Sequence, residues 1–201
     1  MLSATGLRLY RGERCLFEDL EFALAAGEML LVEGANGSGK TSLLRAIAGL
    51  LSLDAGDVLW RGKPTLGNRQ SLCAEMGWLS HRLGLKYDLS LIENLAFDVR
   101  LHGRAWQRPD AVLERLGLNG LDRLPLRALS AGQQRRVALA RLLLARSTLW
   151  LMDEPLTNLD GAGQALVRDI IQRKLKDGGL CVVASHHAID ISAPTRRIRL
   201  Q

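Results

Sequence analysis

Three short apolar runs stand out along the chain, Met29 to Glu33, Thr148 to Met152 and Leu180 to Ser185, each ending at a turn or a polar cluster. Runs of this length bounded by turn residues predict strands, with Leu180 to Ser185 a buried one. Asp57 to Arg61 and Leu72 to Leu79 read as further strands, separated by turn-rich sequence from Gly62 to Asn68, and Arg197 to Leu200 as a last short one. Helical spacing appears between them. Thr41 to Leu50 puts Leu43, Leu44, Ile47 and Ala48 on one face, with Gly49 near its end. Ala131 to Arg146 predicts a long basic helix, and Asp160 to Lys176 an amphipathic one closed by Gly178 and Gly179. Strand and helix alternate, which predicts an α/β fold around a mainly parallel sheet.

The middle of the chain is helical in character. Ser90 followed by Glu93 is a capping box, in which each side chain satisfies the other residue's free backbone N–H, and it opens a helix to about Leu101. Pro109 suits a first helical position, and the helix it begins ends near Gly117. The stretch from about Arg82 to Ala128 therefore reads as a helical insert within a single domain spanning residues 1–201. No internal repeat or low-complexity tract interrupts it.

Composition narrows the class. With 47% hydrophobic and 24% charged residues over 201, the chain has the profile of an ordinary globular protein. The net charge of +6 is scattered, with no run of five like charges, so it predicts a solvated basic surface suited to an anionic membrane face rather than a nucleic-acid site. Cys15, Cys73 and Cys181 lie far apart without a CxxC pair, which fits neither zinc nor a disulfide framework and suits a reducing compartment. No stretch reaches the roughly 18 apolar residues of a membrane span, and no signal-peptide pattern opens the chain, so a cytosolic location is expected.

The strongest chemical signal is GANGSGKT: Gly34, Ala35, Asn36, Gly37, Ser38, Gly39, Lys40 and Thr41. It matches G-x-x-x-x-G-K-[ST] between a predicted strand and a predicted helix. Phosphate oxygens need many donors close together. Gly37 and Gly39 let the backbone curl its N–H groups inward, and the helix N-terminus adds partial positive charge. Lys40 is then expected at the β- and γ-phosphates of ATP, and the Thr41 hydroxyl on Mg²⁺. The plain alternative is a Gly-rich turn with an exposed lysine. The second signal is LWLMDE, an apolar strand delivering two carboxylates, Asp153 for Mg²⁺ and Glu154 to polarise the attacking water as a general base. Alone it is weak; downstream of a phosphate loop it is strong.

Leu129 to Gln133 reads LSAGQ, immediately before a helix carrying QRRVALARLLLA. Here the sequence resembles the ABC ATPases, whose signature is LSGGQ in this place. Ser130 and Gly132 begin a helix and so present a hydroxyl, N–H groups and a dipole to an anion. The resemblance implies a RecA-like P-loop NTPase core with an N-terminal antiparallel β subdomain and a helical insert. It also implies a homodimer in which the signature of one subunit faces the γ-phosphate held by the other. Carried across position by position, it places Tyr10 against adenine, Ser42 beside the phosphates after Thr41, Gln133 with the signature, Asp160 in the dimer-contact loop and His186 as the switch histidine at the γ-phosphate. His187 reads only as its neighbour. Two positions depart from the pattern: Ala131 stands for the first signature glycine, and His81 for the Q-loop glutamine that helps hold Mg²⁺.

The text WLSHRLGLKYDLSLIENLAF, with Gly84 to Lys86 and the Glu93 to Leu95 triplet, together with LSAGQQRRVALARL, narrows the resemblance. It is similar to the CcmA family, the ATP-binding subunits of bacterial cytochrome c maturation haem exporters. That implies a peripheral subunit on the cytoplasmic face of the inner membrane. There, two copies would sit beneath a CcmB-like integral subunit with CcmC-, CcmD- and CcmE-like proteins, coupling ATP hydrolysis to haem export or to release of the haem-loaded chaperone. No nucleic-acid partner and no direct haem binding are expected. Another ABC transporter's ATPase, a soluble ABC ATPase acting on ribosomes or DNA, and a binding-only homologue are the alternatives.

Overall fold

The computed structural model describes residues 1–103, 105–186 and 189–201; His187 lies outside them. Two sheets form the frame. The first is antiparallel and four-stranded, in the order β2 (Arg14–Leu24), β1 (Leu2–Arg11), β4 (Ala55–Trp60), β5 (Lys63–Pro64). It is the N-terminal β subdomain that the family resemblance implies. The second has five strands, in the order β6 (Met76–Leu79), β7 (Leu149–Asp153), β8 (Leu180–Ser185), β3 (Met29–Glu33), β9 (Thr195–Arg199), and every neighbouring pair is parallel.

The unbroken apolar runs reflect cover on both faces of this second sheet. Met29 and Leu31, Trp150 and Met152, and Cys181 and Val183 enter one core cluster, which they share with the helices of the insert. Leu30 and Val32, Leu149 and Leu151, and Leu180 and Val182 enter another, which they share with the antiparallel sheet. Successive side chains point to opposite faces, so one run of five or six residues serves two cores. Helix α1 (Lys40–Ile47) belongs to the second cluster through Leu43, Leu44 and Ile47.

The capping box that opens α3 (Leu91–Leu101) is fully formed, with Ser90 Oγ accepting from the Glu93 N–H and the Glu93 carboxylate accepting from the Ser90 N–H. Pro109 sits one residue before α4 (Asp110–Arg115). Helices α5 (Ala131–Leu144) and α6 (Gly161–Lys176) lie within a residue or two of their predicted spans.

One prediction fails. Leu72 to Glu75 is not strand but the end of helix α2 (Arg69–Glu75), and strand begins only at Met76. The reason is burial. Within Arg69–Glu75 only Leu72 is buried, so nothing holds an alternating face, and the good helix formers around it decide the local structure. The fold therefore predicts that Leu72→Ala costs about 2–4 kcal/mol. Ala74→Lys, two positions on and exposed, costs under about 0.5 kcal/mol. In a strand both residues would share the buried face, so a lysine at 74 that unfolds the protein in a urea titration would contradict the helix.

Candidate functional site

Parallel strands deliver their carboxyl ends to one edge, and here four of those ends are level. Glu33 lies opposite Ser185, Asp153 opposite Ala184, and Leu79 opposite Met152. The residues just beyond these ends are therefore gathered together: the Gly34 loop, Glu154, His186, and Ser80 with His81. Open α/β sheets place ligands in this crevice. A cavity of about 430 Å³ occupies it, lined by Asn36, Gly37, Gly39, Lys40, Thr41, Ser42, His81, Asp153 and Glu154, with Arg11, Arg14 and Leu16 from the β1–β2 hairpin.

The phosphate-type loop is held by its own lysine. Lys40 Nζ donates to the Gly34 carbonyl at 2.7 Å and the Ala35 carbonyl at 3.0 Å, which closes the curl. Gly34 has φ of 155°, and a Cβ there would stand 2.4 Å from Ser38 Oγ and 2.7 Å from the Leu200 carbonyl. Ser38 is 1% exposed, yet its hydroxyl has no hydrogen-bond partner among the described residues. Gly39, the residue before helix α1, supplies no side-chain cap, and the first turn holds no acid, leaving the helix's positive end open to an anion. The loop N–H groups and this open helix end are the donors a polyphosphate requires. The Thr41 hydroxyl donates to Asp153 Oδ2 at 2.8 Å, so a hydroxyl and a carboxylate oxygen meet, as Mg²⁺ needs. Among the described residues no cluster of three or more acidic, histidine or cysteine side chains forms a separate metal cage.

Glu154 occupies the left-handed backbone region at φ of 50°, uncommon for a side-chain-bearing residue. Its N–H donates to the Ala184 carbonyl at 2.8 Å. Its carboxylate lies 3.8 Å from Lys40 Nζ, accepts from the His186 backbone N–H at 3.1 Å, and meets His186 Nδ1 at 2.7 Å. One acid thus faces the loop lysine on one side and a histidine from the neighbouring strand end on the other. That geometry suits a base that handles a water proton beside a phosphate.

Other predicted residues lie outside the cavity wall. Tyr10 is 42% exposed on β1, its N–H bound to Asp54 at 2.6 Å, and nearby Glu18, with Cys15 adding to it, raises its phenol above the ordinary range. Ser130 and Gln133 form a second complete capping box at the start of α5. Gly132 is tight against the loop after Glu154, where a Cβ would lie 3.1 Å from the Asn158 carbonyl. Asp160 caps α6 through the Gly163 N–H at 2.8 Å and lies 3.8 Å from Arg136.

Three contributors escape a reading of the sequence alone. Arg11 and Arg14 flank the hairpin turn and reach the cavity because β1 and β2 pair there in register, a tertiary fact. Arg135 looks like one more cation on a basic helix, yet it is 4% exposed beneath Asp153 and Glu154. The loop after His81 is also fixed. Asn94 binds the Lys86 backbone in both directions, and Arg141 holds the Leu83 and Gly84 carbonyls, giving the Gly84–Lys86 and Glu93–Leu95 motifs a structural role.

Residues 17–157 match the family model for the ABC transporter. The cytochrome c biogenesis ATP-binding export protein CcmA of Methylococcus capsulatus is 47% identical over 201 residues, covering 99% of this chain and 97% of that protein. A putative ABC transporter ATP-binding protein from Pyrococcus furiosus superimposes with a TM-score of 0.85 at 23% identity, over 98% and 96% of the two chains. A dimeric bacterial ABC transporter cassette superimposes with a TM-score of 0.80 at 23% identity, over 93% and 88%.

The loop geometry carries its own prediction. Gly34→Ala brings a methyl into the Ser38 side chain and the Leu200 carbonyl at a backbone angle unsuited to alanine. It should lower stability by about 1–3 kcal/mol. Thermal unfolding checks it, and a melting temperature equal to the parent's would contradict this loop conformation.

Proposed function

This chain belongs to the ABC transporter ATP-binding family, within its CcmA branch, and from that membership we propose that it hydrolyses ATP to drive a cytochrome c maturation haem-export complex. The single observation that carries the chemistry is the convergence of Lys40, Thr41, Asp153, Glu154 and His186 at one crevice. It rests on the Thr41–Asp153 contact of 2.8 Å and the Glu154–His186 contact of 2.7 Å. In this reading the loop N–H groups, Lys40, Ser38 and Ser42 bind the phosphates of ATP. Lys40 turns its ammonium from the loop carbonyls to the transferring phosphate. Thr41 and Asp153 hold Mg²⁺, which supplies positive charge against the phosphate oxygens. Glu154 orients water and accepts its proton as oxygen attacks the γ-phosphorus and the bond to the β-phosphate oxygen breaks. His186 keeps the Glu154 carboxylate aimed and reaches the γ-phosphate. His81 stands where a glutamine would assist the Mg²⁺ site, and Tyr10 covers the adenine.

The signature is read as acting in trans. Ser130, Gly132 and Gln133 do not line their own chain's cavity, yet they open a helix whose first turn carries no acid. Two helix starts without an acid in their first turn, the uncapped one of α1 and the capped one of α5, lie at separate places on one chain and support a homodimer in which each nucleotide is gripped by both copies, with Asp160 near the shared face. Among the described residues no helix is long and apolar enough to cross a membrane. The transmembrane part is assigned to a CcmB-like partner, and this subunit to the cytoplasmic face of the inner membrane, where its +6 charge suits anionic lipid.

Three outcomes check this in complexes reconstituted with the membrane partner. Lys40→Ala should reduce ATP turnover at least about 10²-fold, because it removes the charge on the transferring group. Full turnover would refute the loop assignment. Glu154→Gln should slow hydrolysis by about 10²–10⁴-fold while leaving nucleotide binding intact. Light scattering of that variant with ATP and Mg²⁺ should show a dimer that Ser130→Arg abolishes; a monomer throughout would remove the trans-acting signature.

A further inference from the structure

Arg135 is a buried cation to which the hydrolysis chemistry assigns no part. It sits in α5 five residues after Ser130, 4% exposed, and among the described residues its hydrogen bonds go to main-chain carbonyls and none to a carboxylate. Nη2 donates to the carbonyls of Asp153, at 3.0 Å, and of Glu154. Nε donates to Pro155 at 3.4 Å, and Nη1 reaches Ser80 at 3.5 Å. Burial pulls this guanidinium below its ordinary range, while the nearby Asp153 and Glu154 charges push the other way. An arginine is the one side chain whose planar fork can satisfy carbonyls on several sides at once.

The carbonyls it binds are informative. Three belong to consecutive residues that turn the chain away from β7, with Glu154 at φ of 50° in the middle. A peptide in that conformation stays there only where its surroundings over-determine it. The Glu154 N–H is fixed to β8 at Ala184, and its carbonyl is fixed by Arg135, so the residue is held from both sides. The fourth carbonyl precedes His81 on the loop that also lines the cavity.

Resting on the assignment of ATP hydrolysis to this site, we propose that Arg135 is a positioning residue: it clamps the Asp153–Pro155 backbone so that Glu154 keeps its turned conformation and its aim. The clamp also ties that aim to the helix that opens at Ser130. A shift of α5 at the signature end moves Arg135, and with it the backbone that carries the water-orienting acid of the same subunit.

The test uses the complex reconstituted with its membrane partner. Arg135→Met should lower kcat by about 10²-fold, the scale of a 1 Å misplacement. KM and the affinity for a fluorescent ATP analogue should stay within about threefold, since the phosphate loop is untouched. Arg135→Lys should recover part of the loss, because an ammonium still reaches one or two of the carbonyls. Melting temperatures establish that each variant is folded, and if the methionine variant is not, Arg135→Gln and Arg135→Lys carry the comparison. A residue acting through Glu154 adds no further loss in a Glu154→Gln background, measured in single turnover. Unchanged kcat in the folded variants, or a loss that multiplies fully onto Glu154→Gln, overturns the proposal. Turnover that survives Lys40→Ala, with Arg135 in place, overturns the hydrolysis reading instead, and the proposal with it.

Discussion

Strands β3 and β7 do not touch, because β8 lies between them, and adjacent strands stand about 4.8 Å apart. The hydroxyl of Thr41, one residue into the helix after β3, crosses that gap to the carboxylate of Asp153 at the end of β7. Everything in the site depends on this crossing. It sets the phosphate-binding loop and the acidic strand end at one fixed separation, and it needs the strand ends to be level to within a residue. The parallel register provides that, and register in turn is pinned by side chains that alternate between two separate cores. Slipping β7 by one residue would send Trp150 and Met152 to the wrong core and carry Asp153 out of reach.

The same geometry explains which parts of the molecule were legible in the chain. Phosphate binding needs contiguous backbone N–H groups, so Gly34 to Thr41 is written as one string, and Asp153 and Glu154 close one apolar run. Capping is local as well, and both boxes, at Ser90 and Ser130, are formed. Where function needs residues brought from afar, the string is silent. Arg11 and Arg14 matter only because a hairpin tip folds over the loop, and Arg135 only because one face of a basic helix is turned inward. Leu72 to Glu75 misled for a related reason: a single buried leucine does not tell period two from period 3.6.

The subgroup's own text reads differently once folded. Asn94, 4% exposed, spends its amide on the backbone of Lys86, Leu89 and Ser90, and Arg141 pairs with Asp98 while holding Leu83 and Gly84. These bonds span the stretch directly after His81. A histidine in place of glutamine brings a rigid ring with fewer rotatable bonds. The loop behind it is fastened to α3 and α5 by these hydrogen bonds.

Burying a guanidinium is costly, and replacing such groups by apolar ones often leaves stability unchanged or improved. Arg135 is therefore poorly explained as a stabiliser. Its position accounts for it better. The carbonyls of Asp153, Glu154 and Pro155 diverge as the chain turns, and no apolar side chain satisfies even one of them. Without a donor at their centre, the turn would relax toward an ordinary extended path, and Glu154 would swing away from Lys40 and His186. The helix that supplies this donor is also the one that begins with the signature. On the proposed reading, a single rigid element carries the contact to a second subunit at one end and, five residues later, the support for its own subunit's acid. In the proposed homodimer that arrangement would link the two nucleotide sites through each α5, from Ser130 to the backbone of Glu154.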